Sequence, residues 1–223
     1  MNSKKKSKLI KLFSPRYLLY DFVKITGALS TLLFIRPRKY FVDKKAYKKL
    51  PKGFIISSNH LQYLDPIIVH CAFPLRRIYS VAMEKMFDTP LKKWFFSHIN
   101  CIKVDRNNAS METIRGVGEA LEMEKPVCIF PEGGIRPENS GAEFKPGCAM
   151  MAVINDAPIL PVFLEKRKSI WRCTKIIIGK PVYPRDILGD SKSLSSIELL
   201  NKHLYNCEQE LYEYYRNLTI GKE

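Results

Sequence analysis

Two shortages, of paired cysteines and of acidic residues, narrow what this chain can be. Its six cysteines are scattered singly, and none belongs to a CxxC pair. That spacing indicates neither a disulfide framework nor a zinc site, and it suits a reducing cytosol. The 223 residues are 46% hydrophobic and 26% charged, which is an ordinary globular composition with enough apolar material for one sizeable domain.

Acidic residues are scarcest at the N-terminus. Residues 1–50 contain 14 Lys and Arg against 2 Asp and Glu, so they supply +12 of the total net charge of +15. A basic region of this size favours a polyanion as partner, either nucleic acid or an anionic membrane surface. The basic residues are not interleaved with a nucleic-acid-binding motif, so we predict a membrane and no nucleic acid.

The N-terminal region also lacks an uncharged hydrophobic run long enough to span a bilayer. Residues 17–35 have the length, but Asp21 and Lys24 interrupt them and basic residues flank both ends. We therefore expect a helix that lies in the membrane interface, rather than a spanning helix or a secretory signal peptide. Pro15 separates this helix from a short basic helix predicted at 3–13.

Residues 1–40 are thus predicted to form a membrane-associated helical hairpin that contacts anionic lipids. The expected location is the cytoplasmic face of a membrane, as a peripheral or monotopic protein. The alternative interpretation is that residues 17–35 form a buried core helix that follows a solvated basic tail.

From residue 41 to 223, short apolar runs alternate with helical stretches. Strands are predicted at 54–58, 78–83, 101–104, 127–130, 159–164 and 175–179. Helices are predicted at 66–72, 90–98, 110–124 and 146–155, with a last one at about 194–217. This alternation predicts an α/β domain with a mainly parallel central sheet flanked by helices on both faces. Pro161 lacks an N–H, which predicts an edge or irregular position for the strand at 159–164.

The stretch NHLQYLD places His60 and Asp65 five residues apart, directly after the strand predicted at 54–58. That spacing does not bring two side chains together on a helix or a strand. A turn between them would let Asp65 hold one ring nitrogen of His60 and leave the other as a general base. The alternative is structural, with Asp65 as the N-cap of the next helix and His60 as a satisfied histidine.

Further polar groups follow other predicted strands. Arg106 follows the strand at 101–104, and a Gly-rich loop follows the strand at 127–130. Because sites in parallel sheets gather at the carboxyl ends of strands, we expect these groups on the same rim as His60. Glycine lets a backbone approach a ligand closely, and Arg and Lys suit a phosphate. The candidate binding residues are Arg106, Glu132, Gly133, Gly134, Arg136 and Lys145.

Four blocks resemble, in order, those of the glycerolipid acyltransferases, the group that includes the 1-acylglycerol-3-phosphate acyltransferases. NHLQYLD at 59–65 resembles their N-H-x4-D motif. The other three blocks are IKVDR at 102–106, FPEGG at 130–134 and APILPV at 157–162. The resemblance extends over about residues 50–185. The family also tends to carry basic, membrane-associated helices at the N-terminus.

The resemblance implies transfer of a fatty acyl group from acyl-CoA or acyl carrier protein to the free hydroxyl of a lysophospholipid. The acceptor that the resemblance implies first is 1-acylglycerol-3-phosphate, whose acylation gives phosphatidic acid. His60 would be the general base and Asp65 would hold its imidazole, with no metal, cofactor or covalent enzyme intermediate. Backbone N–H groups near residues 132–134 would bind the oxyanion, while Arg106 and Lys145 would bind the phosphate.

One block departs from the family pattern. The third block usually has an arginine three residues after its glutamate, whereas here Ile135 takes that place and the arginine is Arg136. The shift leaves the acceptor's head group open. An acyltransferase for another lysolipid, such as an amino-acid-linked lipid, is therefore an alternative. A non-catalytic lipid-binding protein of the same fold is a second alternative.

Overall fold

Seven strands form a single sheet in a computed structural model that describes residues 15–105, 110–137, 144–167 and 172–220. The strands are β1 (Arg38–Phe41), β2 (Ile55–Ser58), β3 (Tyr79–Met83), β4 (Cys101–Val104), β5 (Val127–Ile129), β6 (Ile159–Leu164) and β7 (Lys175–Ile178). Their order is β1-β7-β6-β2-β5-β3-β4, and β6 with β7 is the one antiparallel pairing among these strands. The mainly parallel central sheet predicted from the sequence is confirmed.

Helices connect the strands and cover both faces of the sheet. They are α1 (Pro15–Phe34), α2 (Lys44–Lys49), α3 (Asp65–Ala72), α4 (Pro90–His98), α5 (Met111–Glu122), α6 (Gly147–Asn155), α7 (Pro184–Leu188) and α8 (Leu194–Ile220). Successive strand residues point to opposite faces, so Ile55 packs in a core with α5, α6 and α8. Ile56 packs in a second core against α3.

The edge position predicted for the strand of Pro161 is wrong, because β6 lies inside the sheet between β2 and β7 and is buried along its whole length. The irregular pairing that was the other part of this prediction is confirmed. Two residues separate Ile159 from Val162, whereas three residues separate their partners Val182 and Ile178. The extra residue opens a bulge in the pairing with β7, and Pro161 lies opposite it. The missing N–H therefore falls where the ladder is already interrupted.

Helix α1 begins at Pro15 and ends at Phe34, close to the limits expected from the sequence. The helix predicted at 3–13 lies outside the described residues. Within the described residues, no helix has both the length and the hydropathy to cross a membrane.

The charged residues Asp21 and Lys24 of α1 face the domain. The Asp21 carboxylate accepts hydrogen bonds from Nε and Nη2 of Arg77 at 3.0 and 2.5 Å. Lys24 Nζ donates to the backbone carbonyls of Phe73 and Arg76, at the end of α3. Because each charge has a partner on the domain, these side chains attach the helix to it.

Tyr20 completes the attachment of α1. Its hydroxyl lies 3.1 Å from His70 Nδ1 and accepts a hydrogen bond from the Ile78 N–H at 3.0 Å. The other ring nitrogen of His70 lies 2.8 Å from Ser80 Oγ. Burial lowers the pKa of His70 to about 3, so the ring is neutral and can donate at one nitrogen and accept at the other.

The outward face of α1 is apolar. Leu18, Phe22 and Ile25 recur at helical spacing and are well exposed. The buried-core alternative therefore describes one side of α1 only, since Tyr20 is buried while this stripe is not covered by the described residues.

Candidate active site

The loop between β2 and α3 folds Asp65 back onto His60. Oδ2 of Asp65 lies 3.1 Å from His60 Nδ1 and accepts the backbone N–H groups of Leu61 at 2.6 Å and Gln62 at 2.8 Å. Asp65 is the first residue of α3, and Leu64 holds the N-cap position without a side-chain cap. The N-cap expected for Asp65 is therefore wrong, because its carboxylate points back along the chain instead of forward.

This contact fixes the state of the His60 ring. A carboxylate only accepts hydrogen bonds, so in the neutral imidazole the proton sits on Nδ1 and Nε2 keeps its lone pair. Nε2 has no hydrogen-bond partner within the described residues. The ring of Phe130 stacks on the imidazole, with centroids 4.4 Å apart at 26°. Asp65 is fully buried and His60 is partly exposed, so the free nitrogen can be reached by a substrate.

Asn59 holds the start of this loop in place. Its side-chain amide donates to the carbonyl of Leu164 at 3.0 Å and accepts the Leu164 N–H at 2.7 Å. The buried side chain thus continues the ladder between β2 and β6 beyond the last backbone pair. The turn after Asn59 is anchored on the rigid sheet, which limits the freedom of His60.

Glu132 meets His60 at the carboxyl rim, as the strand order predicts. β2 and β5 are parallel neighbours, and Glu132 Oε1 accepts the backbone N–H of His60 at 3.2 Å. Burial raises the pKa of Glu132 above the usual range, and the hydrogen bond from His60 opposes the rise. Oε2 of Glu132 is buried and has no partner among the described residues.

The loop after Glu132 wraps round the same histidine. The backbone N–H of Arg136 donates to the carbonyl of His60 at 2.9 Å, and the charge of Arg136 is a further contribution that opposes the rise in the pKa of Glu132. The side chain of Arg136 is exposed. The arginine that the family pattern places one position earlier is therefore close to Glu132 in this structure.

Gly133 and Lys145 pack against each other. Gly133 has φ of +68°, and a Cβ there would lie 3.0 Å from Cδ and Cε of Lys145. The left-handed conformation favours glycine, whereas the flexible end of Lys145 could shift to admit a Cβ. The Gly133 N–H donates to the Phe130 carbonyl at 3.0 Å, within its own turn. The oxyanion donors predicted near residues 132–134 stay a prediction. Gly134 follows in the same turn and is half-buried.

Arg106 lies outside the described residues. It follows β4, which is the edge strand and is separated from β5 by β3. In the sheet order, β4 is two strands farther from β2 than β5 is.

Two residues near the site were missed from the sequence. Phe130 begins the block FPEGG, and the sequence gives no indication that its ring stacks on His60. Glu208 of α8 is half-buried, and this burial together with the charge of Glu132 raises its pKa to about 8. The sequence could have indicated that Glu208 faces inward, because it lies four residues after Leu204 and three before Leu211 on the buried stripe of α8.

Comparisons with known proteins find similar acyltransferases. The chain is 27% identical over 179 residues to the 1-acyl-sn-glycerol-3-phosphate acyltransferase of Bacillus subtilis (strain 168), covering 75% of this chain and 89% of that protein. It is 28% identical over 194 residues to a probable 1-acyl-sn-glycerol-3-phosphate acyltransferase of Mycoplasma pneumoniae, covering 73% of this chain and 69% of that one.

A solved structure has a similar fold, and a family profile matches the sequence. The crystal structure of the 1-acyl-sn-glycerophosphate acyltransferase PlsC from Thermotoga maritima superposes with a TM-score of 0.62 at 20% identity, over 96% of this chain and 84% of that chain. That likeness concerns the fold. The sequence profile of the family described as Acyltransferase matches residues 41–165, which is more than half of the chain and includes His60, Asp65 and Glu132. The chain therefore belongs to the Acyltransferase family.

Proposed function

We propose that this protein transfers a fatty acyl group from an acyl thioester to the free hydroxyl of 1-acylglycerol-3-phosphate, which gives phosphatidic acid. The observation that carries the proposal is the His60 ring, whose Nδ1 is held by buried Asp65 while Nε2 remains accessible. The activity named for the relatives in Bacillus subtilis and Mycoplasma pneumoniae supports the choice of acceptor.

In this mechanism Nε2 of His60 takes the proton of the acceptor hydroxyl as the oxygen attacks the thioester carbonyl. The new C–O ester bond forms, the C–S bond breaks, and the proton passes from His60 to the departing thiolate. Asp65 stabilises the imidazolium that exists between these two transfers. The thioester is already activated, so the step needs no covalent enzyme intermediate. Acyl-CoA and acyl carrier protein both fit as donors.

The acceptor's phosphate would be held by cations on the same rim. Arg136 and Lys145 follow Glu132 in the chain, and Arg106 follows β4 in the sequence, outside the described residues. The shifted arginine keeps a second acceptor class open, namely a lysolipid with another head group. A panel of acceptors separates the two.

The first test measures acyl transfer from radiolabelled acyl-CoA and acyl carrier protein to lysophosphatidic acid and to amino-acid lysolipids. We expect His60→Ala to lower the rate about 10²–10⁴-fold, the contribution of a positioned general base. His203→Ala on α8 is the matched control and should retain the parent rate.

Activity of His60→Ala within a few-fold of the parent, with an unchanged thermal transition, would remove His60 from the mechanism. Transfer only to a lysolipid without phosphate would keep the reaction and change the acceptor. Absence of transfer to any acceptor would favour a lipid-binding protein of the same fold.

We also infer that the protein works at the surface of an anionic membrane. The support is the +12 charge of residues 1–50 and the exposed apolar stripe of α1. Removing residues 1–38 would not test this cleanly, because Tyr20 and Ile35 are buried in the domain. Substitution of the outward residues is the better test, with sedimentation on vesicles as the measurement.

A further inference from the structure

Helix α4 carries apolar side chains that the described residues leave uncovered. Leu91, Trp94 and Phe95 recur at positions i, i+3 and i+4, so they share one side of the helix. Leu91 is 74% exposed and Trp94 is 51% exposed, and α4 has no buried residue. These three residues are called the α4 patch below. Large exposed apolar groups of this kind mark interaction surfaces.

The position of α4 connects the patch to two features already described. The helix packs beside α1, whose outward stripe is Leu18, Phe22 and Ile25. It follows β3 by way of a 3₁₀ turn at Glu84–Phe87, so it begins at the carboxyl rim of the parallel sheet. His60 lies on that rim, and an apolar surface there adjoins the side from which a lysolipid would enter.

Exposed lysines outnumber the exposed acids Glu84 and Asp88 beside the patch and favour an anionic partner. Lys92 and Lys93 lie within the same helical turn as Trp94 and are exposed, and Lys85 in the preceding 3₁₀ turn is exposed as well. Cores of protein–protein interfaces are depleted in lysine. Tryptophan flanked by lysine is instead typical of the boundary between lipid headgroups and acyl chains, where the ring is partly immersed and the ammonium groups meet phosphates.

We propose that α4 is a second lipid-contacting element, which inserts the α4 patch into the headgroup–acyl boundary of an anionic bilayer beside α1. The inference rests on the proposed function, because a lysolipid acceptor resides in such a bilayer. It extends the membrane contact beyond residues 1–40 and into the catalytic domain, and it turns the rim that carries His60 towards the lipid.

Tryptophan fluorescence tests the proposal directly, because the chain has two tryptophans, Trp94 and Trp171. In full-length Trp171→Phe, Trp94 is the sole reporter. Vesicles of phosphatidylcholine and phosphatidylglycerol should shift its emission to shorter wavelength, and brominated acyl chains should quench it. Sedimentation with the vesicles without shift or quenching would overturn the proposal and leave the acyltransferase function intact.

A pair of charge substitutions gives an independent measurement. Leu91→Glu with Trp94→Glu should weaken vesicle binding at least about tenfold, since two inserted apolar groups are replaced by acids. The matched control is Leu194→Glu with Leu199→Glu on α8, where the side chains are 72% and 54% exposed. Equal loss in both variants, or no loss in the α4 variant, would contradict the proposal.

Turnover separates this inference from the proposed function. The α4 variant should still acylate a short-chain lysophosphatidic acid that is monomeric in solution, because His60 and Asp65 are untouched. If the parent protein transfers no acyl group at all, the proposed function fails. The fluorescence and sedimentation results still decide whether α4 contacts lipid.

Discussion

Helices α1 and α8 are the two longest of the described chain and are amphipathic in opposite senses. α8 runs from Leu194 to Ile220 and buries Leu200, Leu204 and Leu211 against the domain. α1 presents Tyr20, Asp21 and Lys24 to the domain and exposes its apolar stripe. An apolar stripe on a helix therefore does not by itself say which side is inward.

The partners of the polar side chains decide the orientation. Asp21 meets Arg77, and Lys24 meets carbonyls at the end of α3. A charge placed inward without such partners would cost several kcal/mol, so this helix could not pack by its polar side on a purely apolar surface. The domain surface under α1 is polar, and the surface under α8 is apolar.

The largest expected difference between the helices lies in stability. Leu204→Ala should lower the free energy of unfolding by about 2–5 kcal/mol, because it empties part of a packed core. Phe22→Ala on the outward stripe of α1 should change it by less than about 0.5 kcal/mol. Denaturant unfolding of both variants measures this, and equal losses would show that the stripe of α1 is covered in solution.

A smaller effect is expected from the half-buried acid of α8. The folded chain holds a proton on Glu208 up to about pH 8, whereas an unfolded glutamate releases it near its ordinary pKa. Stability contributed by this proton is present at low pH and is lost as pH rises towards 8. The side chain of Glu208→Gln cannot titrate. Above pH 8 the free energy of unfolding of this variant should therefore exceed that of the parent by about 1 kcal/mol, or roughly 2–4 °C in Tm.

Thermal melts between pH 4 and 9 measure that difference. Glu210→Gln, an exposed carboxyl on the same helix, is the matched control. A variant at Glu208 that keeps the parent's slope with pH would show that the carboxyl is hydrated in solution and would remove it from the surroundings of Glu132.

The smallest expected effect concerns the attachment of α1. Asp21→Ala should lower the free energy of unfolding by only about 0.2–1 kcal/mol, because the ion pair with Arg77 is partly exposed and screened by solvent. The exchange Asp21→Arg with Arg77→Asp should restore part of the loss. Double-mutant analysis of Tm measures the coupling. A coupling of zero would mean that Tyr20 and Lys24 hold the helix without this pair.

The sequence predicted most of the sheet because its strands are short apolar runs between turn residues. β1 was missed, since RKYF has two charges in four residues and its pattern is half exposed at the sheet edge. α2 was missed for a related reason, because KKAYKK lacks an apolar period and begins at the N-cap Asp43. β1 is stabilised by its pairing with the distant strand β7, and α2 by its N-cap Asp43. Neither partner is part of the element's own sequence pattern.

The candidate site was predictable to the extent that it depends on local order along the chain. His60 and Asp65 share one loop, and their hydrogen bond was anticipated. The stacking of Phe130 and the approach of Glu208 depend on how separate elements pack, and no spacing encodes them. The engagement of the Gly133 N–H within its own turn likewise needed the folded loop.

The amino-acid sequence by itself determined the class of fold, the four motif blocks and the basic N-terminal region, because periodicity and charge are local properties. Only the tertiary structure decided that Asp21 and Lys24 face the domain, that β6 is internal despite Pro161, and that Glu132 binds the backbone of His60. Each of these depends on which distant group supplies a partner, and a hydrogen bond or an ion pair forms only where folding brings both groups together.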